Sequence, residues 1–269
     1  MSELRLIELE LWSYCNRKCK WCPNSFIDRF SDNVFINDDI LNKLIQSLKE
    51  MNYTGYITFS RYNEPLAHTN MLNRACKYIK RQLPSCTLVT NTNGDYLSAE
   101  VIHDLLIDEL TVMDYDNKGM EKCTALLNSW NCIIDEIVDN FIYAHYGNMK
   151  ILYYVNWKDN YTPGNRGGSL PIEEPVRELI CTEPKYFIGV NYDGTISPCC
   201  NIRNDVNAHK SYIIGDLNKQ SLEEILNSSV RTNFIEYCGQ AHFEPGSPCY
   251  KCSNNGGRYT REKGGIHYE

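Results

Sequence analysis

The stretch Cys15-Asn16-Arg17-Lys18-Cys19-Lys20-Trp21-Cys22 directly follows Leu6 to Leu11 (LIELEL), a run that largely alternates apolar and charged residues. That alternation predicts a β-strand, so the three cysteines sit on the loop leaving it. Three thiolates on one short loop can converge on a single metal centre. Three rather than four would leave one corner of a cubane iron–sulfur cluster open to an outside ligand, and open metal positions are where substrates and cofactors bind. The C-terminal end of a strand is also where parallel α/β proteins build active sites. On spacing alone, the alternative is a structural zinc completed by a distant Cys or His.

Outward from that loop, the N-terminal half alternates strand and helix signals. Helical periodicity with acids at its start runs from Asp38 to Met51, and a short strand covers Tyr56 to Phe59. A helix is expected over His68 to Gln82, then a strand from Thr87 to Thr90 that ends in the turn Asn91-Thr92-Asn93-Gly94. Ser98 suits an N-cap for a helix reaching Leu106. Further strands are expected at Leu110 to Met113, Ile133 to Val138 and Lys150 to Val155, with a helix from Met120 to Trp130. Repeated β-α units imply α/β architecture: a parallel sheet flanked by helices, either doubly wound or a complete or partial barrel.

The pattern breaks at Asn156 to Gly168 (NWKDNYTPGNRGG), a polar segment with Gly and Pro that reads as a linker or long loop. Beyond it, strands at Lys185 to Val190 and Thr195 to Pro198 and a helix at Leu222 to Asn227 form a smaller module with six of the thirteen cysteines. The expected division is 1–165 and 166–269. The tail after Asn254 is expected to be poorly ordered unless a site orders it.

The 269 residues are 42% hydrophobic and 23% charged, enough chain to bury a full core without disulfides. The net charge of −7 argues against general nucleic-acid binding. No run approaches a membrane span, and the N-terminus carries acids where a signal peptide carries cations, so a cytoplasmic protein is expected. In a reducing compartment clustered cysteines serve metals or redox chemistry more often than disulfides.

A second cysteine group comprises Cys181, Cys199 and the pair Cys249-Tyr250-Lys251-Cys252. Asp193-Gly194 is a strong turn signal that would bring Cys181 and Cys199 together across a hairpin. Four thiolates can close a full coordination shell around a cluster, or around a structural zinc. Cys200 and Cys238 are left over, each a further ligand, a buried small hydrophobe or a hydrogen donor. Cys76, Cys86, Cys123 and Cys132 fall in predicted core elements, and the six histidines form no spaced metal set.

The CxxxCxxC loop, with an aromatic before its third cysteine, resembles the signature of radical S-adenosylmethionine enzymes. The resemblance implies a partial (β/α)6 barrel in which Cys15, Cys19 and Cys22 hold a 4Fe–4S cluster. The open iron of that cluster binds S-adenosylmethionine. Arg61-Tyr62-Asn63-Glu64-Pro65 resembles the family's Gly-Gly-Glu-Pro-like turn, with Tyr62 and Asn63 in place of the glycines. Asn63 and Glu64 are thereby expected at the cofactor's methionine end. Asn91 and Asn93 belong to a turn like the family's Thr-Asn-Gly turn, either reaching the cofactor or only shaping the turn. Trp21 is expected either beside the adenine or in packing.

Cys181, Cys199, Cys249 and Cys252, with Ile214-Gly215-Asp216-Leu217, resemble the family's SPASM/twitch extension. No cysteine follows Cys252, which matches the shorter, single-cluster twitch form: a small α+β module with one auxiliary 4Fe–4S cluster. The short chain and the Cys22-Pro23-Asn24-Ser25 continuation resemble family members that oxidise a carbohydrate or aminocyclitol alcohol. By that resemblance the auxiliary cluster accepts an electron, and Arg166 is a substrate contact, a hydroxyl-proton partner or a structural tie. A peptide maturase or an epimerase of a peptide or sugar, with Cys238 or Cys200 donating hydrogen, is the other reading. The implied partners are a small-molecule or peptide substrate and an electron donor such as flavodoxin or ferredoxin, with no nucleic acid and no membrane.

Overall fold

The computed structural model describes residues 4–31, 33–160 and 162–253. The tail after Asn254, expected to be poorly ordered, lies outside the described residues. One ten-stranded sheet organises the chain. Its first strand, β1 (Leu6–Leu9), is followed by α1 (Asp38–Glu50), β2 (Tyr56–Thr58), α2 (Thr69–Gln82), β3 (Thr87–Thr92), α3 (Ala99–Asp104), β4 (Glu109–Met113) and α4 (Met120–Ser129). Next come three antiparallel strands, β5 (Ile133–Val138), β6 (Phe141–Tyr146) and β7 (Met149–Tyr154), and the short α5 (Trp157–Asn160). The C-terminal part contains α6 (Glu183–Tyr186), β8 (Phe187–Val190), β9 (Thr195–Ser197), β10 (Gly215–Asp216), α7 (Leu222–Leu226) and α8 (Ser229–Gly239).

Across the sheet the order is β10-β9-β8-β1-β2-β3-β4-β7-β6-β5. Strands β1, β2, β3, β4 and β7 run parallel, and β8 adds to the free side of β1, also parallel. The sixth parallel strand therefore comes from the C-terminal segment and not from a further β-α unit. Where that unit would stand, the β5–β6–β7 meander ends the sheet. Its outer strand β5 carries exposed Ile133, Ile137 and Val138. The sequence pattern predicts β5 and β7 and not β6, which the structure sets between Asp139 and Gly147, both at positive φ as in tight turns.

Helices pack on the sheet through the stripes the periodicity announced. In α1 the buried residues are Ile40, Leu41, Leu44, Ile45 and Leu48, and Asn37 caps the helix by accepting the Asp39 N–H at 2.8 Å. Leu72, Ala75, Cys76 and Ile79 of α2 join the same core. Cys86, Cys123 and Cys132 are buried in it too, as their places in the sequence suggested. Ser98 caps α3 through the Val101 N–H, and Ser221 with Glu224 forms a reciprocal cap on α7. A second, smaller core gathers Ile202, Phe234, Cys238, Phe243 and Cys249 in the C-terminal part.

If the α1 stripe anchors the helix layer, Leu44→Ala should cost about 2–5 kcal/mol by chemical denaturation. Asn37→Ala, which removes only the cap, should cost about 1 kcal/mol. Equal losses would contradict this account.

Candidate active site

The loop after β1 stands at the C-terminal rim of the parallel strands and is held from three sides. The Cys15 N–H donates to the Arg29 carbonyl at 2.9 Å, and the Cys22 N–H to the Cys19 carbonyl at 3.0 Å. Arg17, between the first two cysteines, grips two acids that follow β3 and β4. Its Nε donates to Asp95 Oδ2 at 2.6 Å and its Nη1 to Asp116 Oδ1 at 2.9 Å; Nη2 reaches the second oxygen of each. Asn16 adds a bond to Asp95 at 2.7 Å and receives one from Asn93 at 2.8 Å. The Arg17 bonds hold the Asp95 carboxyl below its ordinary range and lower that of Asp116 to about 2.

All thirteen cysteines are free thiols, and Cys15, Cys19 and Cys22 are half-buried. Burial pushes Cys15 up to about 12 and, together with neighbouring Cys22, Cys19 up to about 11. Binding iron would therefore release protons from this loop. Trp21 packs against Tyr115 and Trp157, with ring centroids 5.4 and 5.2 Å away.

Glu64 is held by internal donors. Its Oε1 accepts the Thr92 hydroxyl at 2.6 Å and the Leu66 N–H at 3.0 Å; Oε2 accepts the Asn93 N–H at 3.0 Å. The carboxylate thus braces the turns after β2 and β3. Burial pushes it up to about 7 despite those bonds. The neighbouring Asn63 accepts the Arg61 N–H at 3.1 Å, but its Nδ2 is buried with no partner, as is Thr90 Oγ1 on the adjoining strand. Unsatisfied buried polar atoms call for a ligand or water. They fit a polar cofactor lying across the strand ends. Asn91 donates its backbone N–H to Ser60 Oγ, and Asn93 is tied to Asn16 and Asp95.

Between the strand ends and the C-terminal part lies a polar interior that the sequence did not announce. Arg61 donates to Glu8 at 2.9 Å, to Asn191 at 2.9 Å and to the Ile202 carbonyl. Gly189 makes room for it, since a Cβ there would stand 2.2 Å from Arg61 Nη1. Burial raises the Glu8 carboxyl to about 7, although Arg61 pulls the other way. Arg166, at φ +52° in its Gly-rich turn, lies close enough to Glu8, Tyr62 and Tyr115 to act on their charges. Tyr62, one of the residues standing in for the glycines, donates its hydroxyl to the Cys200 carbonyl at 2.7 Å.

The second thiol group borders a small pocket lined by Cys181, Cys199, Cys249 and Cys252, together with Cys238, Asn201 and Arg177. The turn at Gly194 (φ +87°) joins β8 to β9 and so brings Cys199 back towards Cys181, as the Asp-Gly signal suggested. Burial and the surrounding Cys200, Cys249, Cys252 and Cys181 raise Cys199 well above an ordinary thiol. Arg177 shapes the approach to Cys181 by donating to the Leu179, Ile180 and Cys252 carbonyls, and Asn201 Nδ2 touches Cys252 Sγ at 3.3 Å. Four thiols round one pocket are a donor set that fits a cluster. Among the described residues, no three His, Cys, Asp or Glu side chains are gathered as they would be round a single ion. Cys238, one of the two candidate hydrogen donors, is buried, lines this pocket and meets Cys249.

Residues 7–129 match a 4Fe–4S single cluster domain, and residues 181–253 match SPASM, an iron–sulfur cluster-binding domain. Two iron–sulfur cluster domains thus fall on the two cysteine groups, the first spanning Cys15, Cys19 and Cys22 and the second spanning Cys181, Cys199, Cys249 and Cys252. The chain is 24% identical over 254 residues (93% of this chain, 92% of the relative) to the S-adenosyl-L-methionine-dependent 2-deoxy-scyllo-inosamine dehydrogenase of Niallia circulans. Among solved structures it is similar to BtrN in complex with AdoMet and 2-DOIA, with a TM-score of 0.73 at 23% identity over 93% of each chain. It is also similar to BtrN in an open conformation, with a TM-score of 0.63 at 19% identity over 94% of this chain and 96% of that one. No helix among the described residues is long and apolar enough to cross a membrane.

The raised Glu64 carboxyl has a pH signature. Its ionisation costs stability, a cost absent below the ordinary 4.5 and fully present above about 7. In the cluster-free chain, stability relative to Glu64→Gln should therefore fall as pH rises across that window, read from urea midpoints. A difference independent of pH would refute it.

Proposed function

We propose that the chain is a radical dehydrogenase that oxidises a secondary alcohol of a carbohydrate or aminocyclitol ring to a ketone. The observation that carries this reading is the polar interior around Glu8, Arg61 and Arg166, in a chain that also carries a three-thiol loop and a four-thiol pocket. Similarity to a relative named a 2-deoxy-scyllo-inosamine dehydrogenase supports it.

In this reading Cys15, Cys19 and Cys22 hold the S-adenosylmethionine-binding cluster, and Cys181, Cys199, Cys249 and Cys252 hold the auxiliary one. When bound, these groups supply a 5′-deoxyadenosyl radical for hydrogen abstraction and an acceptor for the electron the substrate radical gives up. Asn63, Asn91 and Asn93 border the cofactor, Glu64 braces the turns that carry them, and Trp21 closes the aromatic side. Arg166 orients the substrate hydroxyl, and Glu8, poised near neutrality, accepts its proton. Loss of one hydrogen atom, one proton and one electron turns the carbinol into the carbonyl. The functional division falls near residue 165, with radical generation before it and electron uptake after it. A low-potential donor such as flavodoxin or ferredoxin supplies the priming electron, in the reducing cytoplasm.

Anaerobic incubation with reductant, S-adenosylmethionine and candidate ring alcohols should give 5′-deoxyadenosine above the substrate-free level and a product lighter by two hydrogens. A product of unchanged mass carrying solvent hydrogen would mean epimerisation instead, and a preparation holding zinc in place of iron would end the enzymatic reading. Because a base works deprotonated, kcat/KM should rise with pH through about 7. Glu8→Gln should remove that rise; its persistence in the variant would clear Glu8 of the role. Arg166→Lys should lower kcat/KM by about tenfold or more.

A further inference from the structure

A buried set of ions joins the two cluster-bearing segments, and no step above uses it. Arg29, seven residues beyond Cys22, is 3% exposed. Its Nη1 donates to Glu10 Oε1 at 2.8 Å and to the Ser13 carbonyl at 3.1 Å, and its Nε donates to Asp205 Oδ2 at 2.8 Å. Asp205 also receives Arg203, through Nε to Oδ1 at 2.7 Å and Nη2 to Oδ2 at 2.6 Å. Arg203 is fully buried and lies 3.6 Å over the Tyr62 ring. Its Nη1 reaches Asn24 Oδ1 at 3.3 Å, and Asn24 in turn donates to the Tyr62 carbonyl at 2.7 Å.

One carboxylate from the C-terminal part thus binds a guanidinium from each part. Charges removed from water are costly unless paired in good geometry, and breaking one partner leaves the others stranded. Such a set is satisfied only when the two parts are fully seated, which makes it a register device and not a general adhesive. Its N-terminal members are also tied to the first cysteine loop, because the Arg29 carbonyl accepts the Cys15 N–H. Its C-terminal members follow Cys199 by a few residues, and the Cys200 carbonyl is held by Tyr62.

We propose that Asp205 is a positioning residue: the keystone of a buried latch, Arg29–Asp205–Arg203, that fixes the separation and orientation of the two clusters and so the coupling of hydrogen abstraction to electron uptake. The inference rests on the two-cluster dehydrogenase reading. Asp205→Asn keeps the size and removes the charge that holds both guanidiniums.

In the reconstituted two-cluster enzyme, Asp205→Asn should keep its iron content and its substrate-free cleavage of S-adenosylmethionine. The inter-cluster distance distribution from pulsed EPR should broaden. Turnover to ketone should fall by about tenfold or more, with excess 5′-deoxyadenosine per product. Arg203→Lys, which keeps the charge and loses the fork, should move each readout in the same direction by less. A narrow distribution with intact coupling in Asp205→Asn would overturn the latch, and so would loss of iron from the first cluster alone. If neither variant folds, hydrogen exchange in the parent enzyme decides: residues 24–29 and 203–205 should open as one unit, and independent opening would overturn the proposal. A parent enzyme showing a single cluster, or no ketone, would instead sink the underlying reading.

Discussion

The grip of Arg17 on Asp95 and Asp116 is the constraint on which the site depends. Between β1 and α1 the described residues carry one 3-10 turn (Pro23–Ser25) and an isolated bridge of Trp12 with Phe35, so the cysteine loop has little secondary structure to define it. A planar guanidinium with two carboxylates on successive strand ends defines it instead, because both acids must arrive in fixed places for the fork to be filled. The parallel register that brings β3 beside β4 supplies those places. Sheet geometry is thereby converted into loop geometry through a single side chain, and outer-shell contacts of this kind commonly decide how well metal ligands are held.

The second organising fact is that the C-terminal part does not merely lean on the first. Strand β8 pairs with β1, the strand that launches the cysteine loop, so one hydrogen-bonded ladder links the two thiol groups. Side chains then fill the space between them with Arg61, Glu8 and Asn191, which leaves a polar interior bordered by charge. Glycine at position 189 is needed because Arg61 passes where a side chain would stand. A carboxyl in such surroundings is poised near neutrality by desolvation, and a shift of this kind marks a functional place more often than a structural one.

How much of this was legible follows from the range of each signal. The cysteine spacings and the Asp193-Gly194 turn are local and chemically demanding, and both were readable. So were α1 and α2, whose apolar stripes are regular. Helix α8 buries only Arg231, Phe234 and Cys238, too weak a stripe to announce itself. Strand β6 carries aromatic residues between two tight turns, a signal that was present and went unused. The motif around Glu64 was readable, whereas the three internal donors to its oxygens come from the turns after β2 and β3 and were not. The pairs Arg17–Asp95, Arg61–Glu8 and Arg29–Asp205 join residues far apart in sequence. Nothing in the composition near one member names the other, and only the fold reveals them.

The pairing of β8 with β1 also has a bearing on how the molecule comes into being. A ribosome releases Leu6–Leu9 early, yet one flank of that strand must wait for Phe187–Val190, made after most of the polypeptide has emerged. Contacts of such long span form late and slowly. The nascent protein therefore passes through a stage in which its first three cysteines are exported on an unfinished sheet. Cells making it would do best to delay metal delivery until translation is complete.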